Sequence, residues 1–130
     1  MTLQVELVSP ERILFSGEAD MVVCRTLGGG DIAFLTGHAP FVGALAIHAV
    51  SIHAATGVEK AGVYGGFVEV KNDRVTILSD HAELKADIDV DEARRKKADA
   101  ERRLMETDDA ECEAVLRRAH VAIELAGGNL

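Results

Sequence analysis

Residues 84–95, LKADIDVDEARR, separate two different hydrophobic patterns in this sequence. On the N-terminal side, apolar residues alternate with a period of about 2, which is typical of half-buried β-strands. On the C-terminal side, the sequence is rich in charged residues and alanine, and its period of about 3.6 is typical of amphipathic helices. Asp89 and Glu92 have the spacing of a capping box, so we expect the first helix to begin near Val90.

The part before this junction, residues 1–86, has the composition of a domain with its own hydrophobic core. It holds all four Phe, the single Tyr, both Pro and 10 of the 12 Gly. We predict an antiparallel β-sandwich, because a parallel sheet would need crossover helices for which there is no room. The clearest hairpin signal is the Asn72-Asp73 turn. The predicted strands are residues 3–8, 12–15, 21–25, 32–35, 41–45, 46–54, 60–64, 67–70 and 75–78.

The part after the junction, residues 87–130, is predicted to be an antiparallel α-helical hairpin. We expect one helix from Val90 to about Glu106 and a second, capped by Asp108, that ends at Gly127-Gly128. The side chains between the helices are mostly small, so their burial contributes little stability, and helices this short are marginal alone. The predicted fold class is therefore α+β, with a hairpin that is either docked on the sandwich or free to move. The facing residues are Ala93, Ala100, Leu104, Ala114, Leu116, Ala119, Ala122 and Ile123.

The overall charge and the apolar content restrict the classes of partner. The formal net charge of −8 disfavours nucleic acid or an anionic membrane surface as the main partner. No apolar run approaches the roughly 20 residues that span a bilayer, and the N-terminus lacks the pattern of a signal peptide. Cys24 and Cys112 lie on opposite sides of the junction, which favours two reduced cysteines over a disulfide. We therefore expect a cytoplasmic protein.

Motifs that would support catalysis or metal binding are missing from the sequence. The glycines before Asp31 have no following Lys-Ser/Thr, so we interpret them as a surface loop and not as a phosphate cradle. The five His are scattered, and none lies at metal-ligand spacing from a Cys or another His. No Ser or Cys lies in a recognisable nucleophile motif. We predict no catalytic residue and no metal site.

The basic run at residues 94–97, RRKK, has two interpretations. The simpler one is a solvated helix face with local ion pairs. The functional one is an anion site between the two helices, completed by Arg117 or Arg118.

Several short segments, in order and at fixed spacing, resemble the epsilon subunit of the F-type rotary ATP synthase. The similarity covers the whole chain, and it implies a β-sandwich followed by a helical hairpin, the same division that the periodicity predicts. The segments are LFSGEA at residues 14–19, GHAP at 37–40, GGFVEV at 65–70, VTILSD at 75–80 and DEAR at 91–94.

The resemblance implies a subunit with no active site of its own. In that family the sandwich binds the gamma subunit and rests on the c-ring of the membrane sector, at the cytoplasmic face of the bacterial cell membrane. Proton flow turns this assembly and drives ATP synthesis in the catalytic head. By position, the resemblance implies that Asp31, Ile32, Ala33 and Phe34 contact the c-ring and that His38 lies near the gamma subunit.

The resemblance also implies a regulatory role for the hairpin. In bacterial members the helices can extend along the gamma subunit toward the alpha/beta catalytic head and block ATP hydrolysis, and some members bind ATP in the folded-down state. The residues that match this ATP site are Glu83, Asp91, Arg94 and Arg118, whereas Ala122 stands where an arginine is expected. We therefore expect weak or absent binding of regulatory ATP and no other cofactor.

Two other classes of function stay open. A free-standing binding module would use an exposed apolar groove of the sandwich and would have no gamma partner. A small enzyme would need convergent titratable groups, which the sequence does not display.

Overall fold

A computed structural model describes residues 2–127, which form eight β-strands followed by two α-helices. Gly128, part of the predicted helix terminus, lies outside the described residues. The predicted boundary after residue 86 falls inside a single 3-10 turn, Lys85–Asp87. The elements are β1 Leu3–Val8, β2 Ile13–Ala19, β3 Met21–Thr26, β4 Gly30–Leu35, β5 Phe41–Ala54, β6 Gly57–Lys71, β7 Arg74–Leu78, β8 Ala82–Leu84, α1 Val90–Leu104 and α2 Ala110–Leu125.

The strands form a sandwich in which β5 and β6 belong to both layers. The order is β2-β1-β7-β6-β5-β3-β4, and β8 pairs with the first half of β6 while β7 pairs with its second half. The predicted α+β sandwich with a helical hairpin is confirmed. One pair departs from the antiparallel arrangement, because β1 and β7 run parallel. This pair needs no crossover helix, because the connection between them consists of the other strands.

Two predicted strand breaks are absent from the structure. Residues 41–54 form one strand across the predicted break after Leu45, and β6 continues through Gly65 and Gly66. Both glycines have positive φ, 89° and 119°. Residues with a side chain rarely adopt such angles, so glycine here permits a local deviation inside a paired strand and does not end it. The Asn72-Asp73 turn is confirmed, with φ of 51° and 57°.

The sandwich and the hairpin have separate hydrophobic clusters. The sandwich cluster collects the inward side chains of β1 to β7, with Leu84 of β8 packed against it. The hairpin cluster consists of Ala93, Ala122 and Ile123, with Ile88 and Val90 packed against it. Leu84 therefore belongs to the sandwich and Ile88 to the hairpin, and the 3-10 turn between them joins the two parts.

Both helices begin with an aspartate N-cap. Asp89 accepts a hydrogen bond from the backbone N–H of Glu92 at 3.1 Å, which confirms the predicted start at Val90. The second cap is Asp109, which accepts from the N–H of Glu111 at 2.9 Å. The prediction of Asp108 was one residue early, because the helix begins at Ala110 and the residue next to it supplies the cap.

The two cysteines are free and buried, and Cys24 lies in the sandwich core. Burial raises the pKa of the Cys24 thiol to about 12, so the thiol stays protonated at neutral pH. Among residues 2–127, neither helix is long and apolar enough to cross a membrane.

Candidate functional site

The hairpin docks on the sandwich through its second helix. Helix α2 lies against β5 and β6, and α1 packs against α2. The side chains that α2 buries include Ala119, Val121, Ala122 and Ile123. Because the two hydrophobic clusters are separate, few large apolar side chains hold the hairpin in place.

A cleft of about 690 Å³ lies between the sandwich and the hairpin. Three of the residues that the family resemblance assigned to an ATP site line it, namely Glu83, Arg118 and Ala122. The other two do not line it: Asp91 and Arg94 are exposed on α1. The structure therefore brings together only part of that set. The lining residues are Ser9, Glu11, Arg12, Tyr64, Asp80, His81, Ala82, Glu83, Asp87, Asp89, Glu92, Ala93, Lys96, Val115, Arg118, Ala119 and Ala122.

Acidic groups outnumber basic groups in the cleft wall. Six carboxylates face three cations there, counted over the described lining residues. Two of these cations have carboxylate partners: Arg12 Nη2 lies 3.1 Å from Asp87 Oδ2, and Lys96 Nζ lies 3.1 Å from Glu92 Oε1. An anionic ligand would meet net negative charge in this cleft, which disfavours polyphosphate binding.

Tyr64 and Glu83 form a short hydrogen bond in the sandwich wall of the cleft. The Tyr64 hydroxyl donates to Glu83 Oε2 at 2.6 Å, within the range of strong hydrogen bonds to an ionised acceptor. Burial and the adjacent Glu83 raise the pKa of Tyr64 well above its ordinary value, so the hydroxyl stays protonated. Sequence reasoning missed Tyr64, because the residues next to it in sequence do not indicate that β8 pairs with β6 and brings Glu83 beside it.

Arg118 of α2 lies in the same cleft as this pair. Its positive charge opposes the rise in the pKa of Tyr64, so the guanidinium is close enough to affect the phenol. Its Nε atom is buried and has no hydrogen-bond partner among the described residues. A buried donor without a partner costs on the order of 1–3 kcal/mol, so the surroundings of Arg118 have to compensate that cost.

The predicted c-ring and gamma contacts lie around the β3–β4 hairpin and the turn that follows it. Asp31 and Ala33 are exposed, and Asp31 Oδ1 lies 2.9 Å from Arg25 Nε. Phe34 is completely buried in the sandwich core. The half-buried Ile32 packs on the core, and His38 is half-buried with its ring 4.9 Å from that of Phe34.

A row of apolar side chains crosses the outer face of five strands. Cross-strand pairing joins its members in sequence from β5 to β2. Three of them are more than half exposed: Ile13 and Phe67 at 60% and Leu78 at 52%. Sequence reasoning missed the row, although consecutive apolar pairs such as Phe67-Val68 and Ile77-Leu78 signalled it. The members, here called the apolar row, are Ala44, Phe67, Leu78, Val8 and Ile13.

Three members of the apolar row, Phe67, Leu78 and Val8, also line a shallow depression of about 280 Å³, together with Pro10 and Gly66. Exposed apolar patches of this kind are typical of protein–protein contact sites. Within residues 2–127, no group of three or more His, Cys, Asp or Glu is arranged to hold a metal ion.

Known proteins resemble this chain over nearly its full length. The family model of the ATP synthase Delta/Epsilon chain, beta-sandwich domain, matches residues 2–85. The ATP synthase epsilon chain of Halalkalibacterium halodurans is 40% identical over 97% of this chain and 98% of its own length. That of Brevibacillus brevis is 45% identical over 80% of this chain and 79% of its own length.

Solved structures agree with the fold. A chain of the Euglena gracilis mitochondrial ATP synthase superposes with a TM-score of 0.71 at 21% identity, covering 95% of this chain and 76% of that one. A chain of the Tetrahymena thermophila enzyme gives 0.54 at 12% identity, covering 68% and 70%. The family model matches the sandwich, and the bacterial relatives match both the sandwich and the hairpin. The chain belongs to the ATP synthase delta/epsilon chain family.

Proposed function

We propose that this chain is a non-catalytic subunit of the central stalk, the rotor, of a proton-translocating F-type ATP synthase. It couples c-ring rotation to ATP synthesis and is peripheral at the cytoplasmic face of the bacterial cell membrane. The observation that carries this proposal is the 40% identity to an ATP synthase epsilon chain over 97% of this chain, which includes the hairpin as well as the sandwich.

The apolar row is the proposed contact surface for the gamma subunit. Interfaces between permanently associated subunits are more apolar than the rest of a protein surface. The apolar row provides exposed apolar side chains on one face of the sandwich. The c-ring contact is assigned to the β3–β4 hairpin, where Asp31 and Ala33 are exposed on β4. The two surfaces allow the sandwich to join the gamma subunit to the ring.

The helical hairpin is the proposed inhibitory element. Within the described part of the hairpin, its hydrophobic cluster contains five residues and is separate from the sandwich core. The hairpin can therefore leave without exposing that core. An equilibrium with a gap of a few kcal/mol can be shifted by ligands or partners. In the extended state the helices reach the alpha/beta catalytic head and block ATP hydrolysis.

ATP hydrolysis by the reconstituted complex tests the inhibitory role. We expect removal of residues 87–130 to raise hydrolysis several-fold while the truncated chain still co-purifies with the gamma subunit. The sandwich cluster retains its residues in this variant, because it contains none from the hairpin. Unchanged hydrolysis would contradict the inhibitory role and would leave the coupling role standing.

Co-purification with the gamma subunit tests the coupling role by itself. We expect Phe67→Asp to weaken co-purification at least about tenfold, since it places a charge in the centre of an apolar contact. Val58→Asp is the matched control: Val58 lies on the same strand, is also half-exposed, and is outside the apolar row. Equal binding of both variants would contradict the assigned surface, and an intact chain that never associates with gamma would contradict the whole proposal.

We expect ATP to bind weakly, with a dissociation constant well above the micromolar range. The cleft wall is acidic, and Ala122 offers no guanidinium, which costs about 1.5–3 kcal/mol of a charge-assisted contact. Calorimetry of the chain with ATP measures this. Ala122→Arg is expected to strengthen binding, whereas Ala126→Arg adds the same charge one turn later, outside the cleft lining. Micromolar affinity of the unaltered chain, or equal affinity of the two variants, would contradict the prediction.

A further inference from the structure

The apolar row has the length of a short helix. Its members lie on five neighbouring strands, in the order β2-β1-β7-β6-β5, so the row runs across the strands and not along one of them. At about 4.8 Å between paired strands, the row is about 19 Å long. An α-helix of about 13 residues has this length, because each residue advances it by about 1.5 Å.

The depression in the row has the size for a side chain of a partner. It has a volume of about 280 Å³, and apolar residues of the row form much of its lining. Pockets that bind small molecules are usually larger, about 300–1,000 Å³. In protein interfaces, pockets near the centre are filled by single large side chains that carry much of the binding energy.

Exposed carboxylates lie on both sides of the row. Glu69 follows Phe67 by two residues on β6, so both side chains point to the same outer face. Asp80 follows Leu78 by two residues and lines the depression. Phe67 pairs with Leu78 and the two strands are antiparallel, so the two carboxylates lie on opposite sides of the row. Neither forms an ion pair with another described residue.

Cations near these carboxylates are engaged elsewhere or lie farther out. Arg74 pairs with Glu6 at 3.2 Å, and Arg12 pairs with Asp87 at 3.1 Å. Lys71 lies opposite Arg74, farther from the apolar row than Glu69. Both sides of the row therefore keep negative charge, in a chain whose formal net charge is −8. A partner with positive charge on both sides of an apolar stripe would be complementary to this face.

The backbone fixes the positions of both carboxylates. Glu69 lies inside β6, paired on both sides by neighbouring strands. Asp80 follows the buried Ser79, whose N–H donates to the carbonyl of Val8 at 3.1 Å and whose hydroxyl donates to the carbonyl of Gly65 at 2.7 Å. The two charges are therefore held at a constant separation before a partner arrives.

This separation fits a helix better than a strand. Two residues along a β-strand span roughly 7 Å, so the two carboxylates project about 14 Å apart, one on each side of the row. A helix with its side chains is about 10–12 Å wide, so basic residues on its two sides would reach both carboxylates. A single extended strand occupies only about 4.8 Å of width in a sheet.

We propose that the apolar row receives an amphipathic α-helix, with a large apolar side chain in the depression and basic residues on both sides, opposite Glu69 and Asp80. Resting on the proposed function, we assign this helix to the gamma subunit. Glu69 and Asp80 set the orientation and the rate of association, and the apolar row supplies the buried area.

Binding of the purified gamma subunit to the full-length chain tests the two charges. Glu69→Gln and Asp80→Asn keep the side-chain shape, and we expect each to weaken binding about three- to tenfold at about 0.05 M salt, mainly through slower association. At about 1 M salt the difference is expected to shrink, because screening acts within a few ångströms there. An unchanged melting temperature shows that each variant is folded.

Glu18→Gln is the matched control. Glu18 is also exposed on the outer face, but it lies opposite Gln4 at the far end of β1, away from the row. We expect it to change binding less than about twofold, as is usual for an exposed charge outside a contact.

Hydrogen exchange of the gamma subunit identifies the segment that covers the row. We expect binding to protect one helix of about 13 residues with Lys or Arg on both sides of an apolar stripe. Glu69→Lys is expected to weaken binding more than Glu69→Gln, and replacing the facing Lys or Arg of that helix by Glu is expected to restore it.

The outcomes separate this assignment from the proposed function. If gamma binds and Phe67→Asp weakens it, but Glu69→Gln and Asp80→Asn behave like Glu18→Gln, the charged flanks are overturned and the coupling role stands. Protection of an extended strand or a loop of gamma would overturn the helix. A gamma subunit that does not bind the unaltered chain at either salt concentration would overturn the proposed function together with this assignment.

Discussion

Gly66→Ala is expected to destabilise the folded sandwich by about 3 kcal/mol or more. Gly66 has φ of +119°, a conformation that residues with a side chain rarely adopt. An added Cβ would also lie 2.2 Å from the carbonyl oxygen of Leu78 and 2.9 Å from Cα of Ser79. Both neighbours are backbone atoms of the adjoining strand segment, so neither can rotate away.

Thermal or denaturant unfolding measures this effect against two graded controls. Gly65→Ala meets the same kind of backbone strain at φ of +89°, but no atom lies within 4 Å of the added Cβ, so we expect a smaller loss. Gly17→Ala meets only ordinary contact with the Phe15 ring at 3.7 Å, and we expect a change of less than about 1 kcal/mol. Equal stability of the Gly65 and Gly66 variants would show that the close approach to Leu78 does not contribute.

Gly66 also shows why the division into two parts was easier to predict than the strand boundaries. The change of periodicity across residues 84–95 depends on many side chains, and the cap spacing of Asp89 and Glu92 predicts the start of α1 at the observed Val90. The sequence predicts a strand break at Gly65 and Gly66, because glycine is favoured in turns for its tolerance of positive φ. The same tolerance allows glycine to occupy an irregular position inside a continuous strand. Only the neighbouring strand decides between them, and it lies far away in sequence.

Long-range pairing limits what sequence reasoning shows about the site as well. The family resemblance supplied Glu83 and Arg118 as candidate ATP contacts, and both line the cleft together with Ala122. Tyr64 was missed, since its role depends on β8, a three-residue strand too short to show alternation. Asp91 and Arg94 lie in the first turns of α1, just after its N-cap Asp89. They are exposed there and do not line the cleft.

The separate hydrophobic clusters lead to a second large effect, one confined to the hairpin. Ile123 is completely buried and is the largest side chain of the three buried residues in its cluster. Ile123→Ala is expected to cost about 2–4 kcal/mol, the usual range for truncating a buried aliphatic side chain. That cost falls on a cluster whose other two buried members, Ala93 and Ala122, are alanines, so we expect it to abolish most of the hydrogen-exchange protection of α1 and α2.

Ile77→Ala is the matched comparison, because Ile77 is also completely buried but belongs to the sandwich cluster. It is expected to lower the melting temperature of the sandwich, whereas Ile123→Ala leaves that transition within a few degrees of the unaltered chain. If Ile123→Ala lowered sandwich protection equally, the two parts would unfold as one unit. Release of the hairpin would then require unfolding of the sandwich as well, and the proposed switch would have no accessible second state. Selective loss of the hairpin instead means that a gap of a few kcal/mol separates docked from released helices, a range that a partner subunit can overcome.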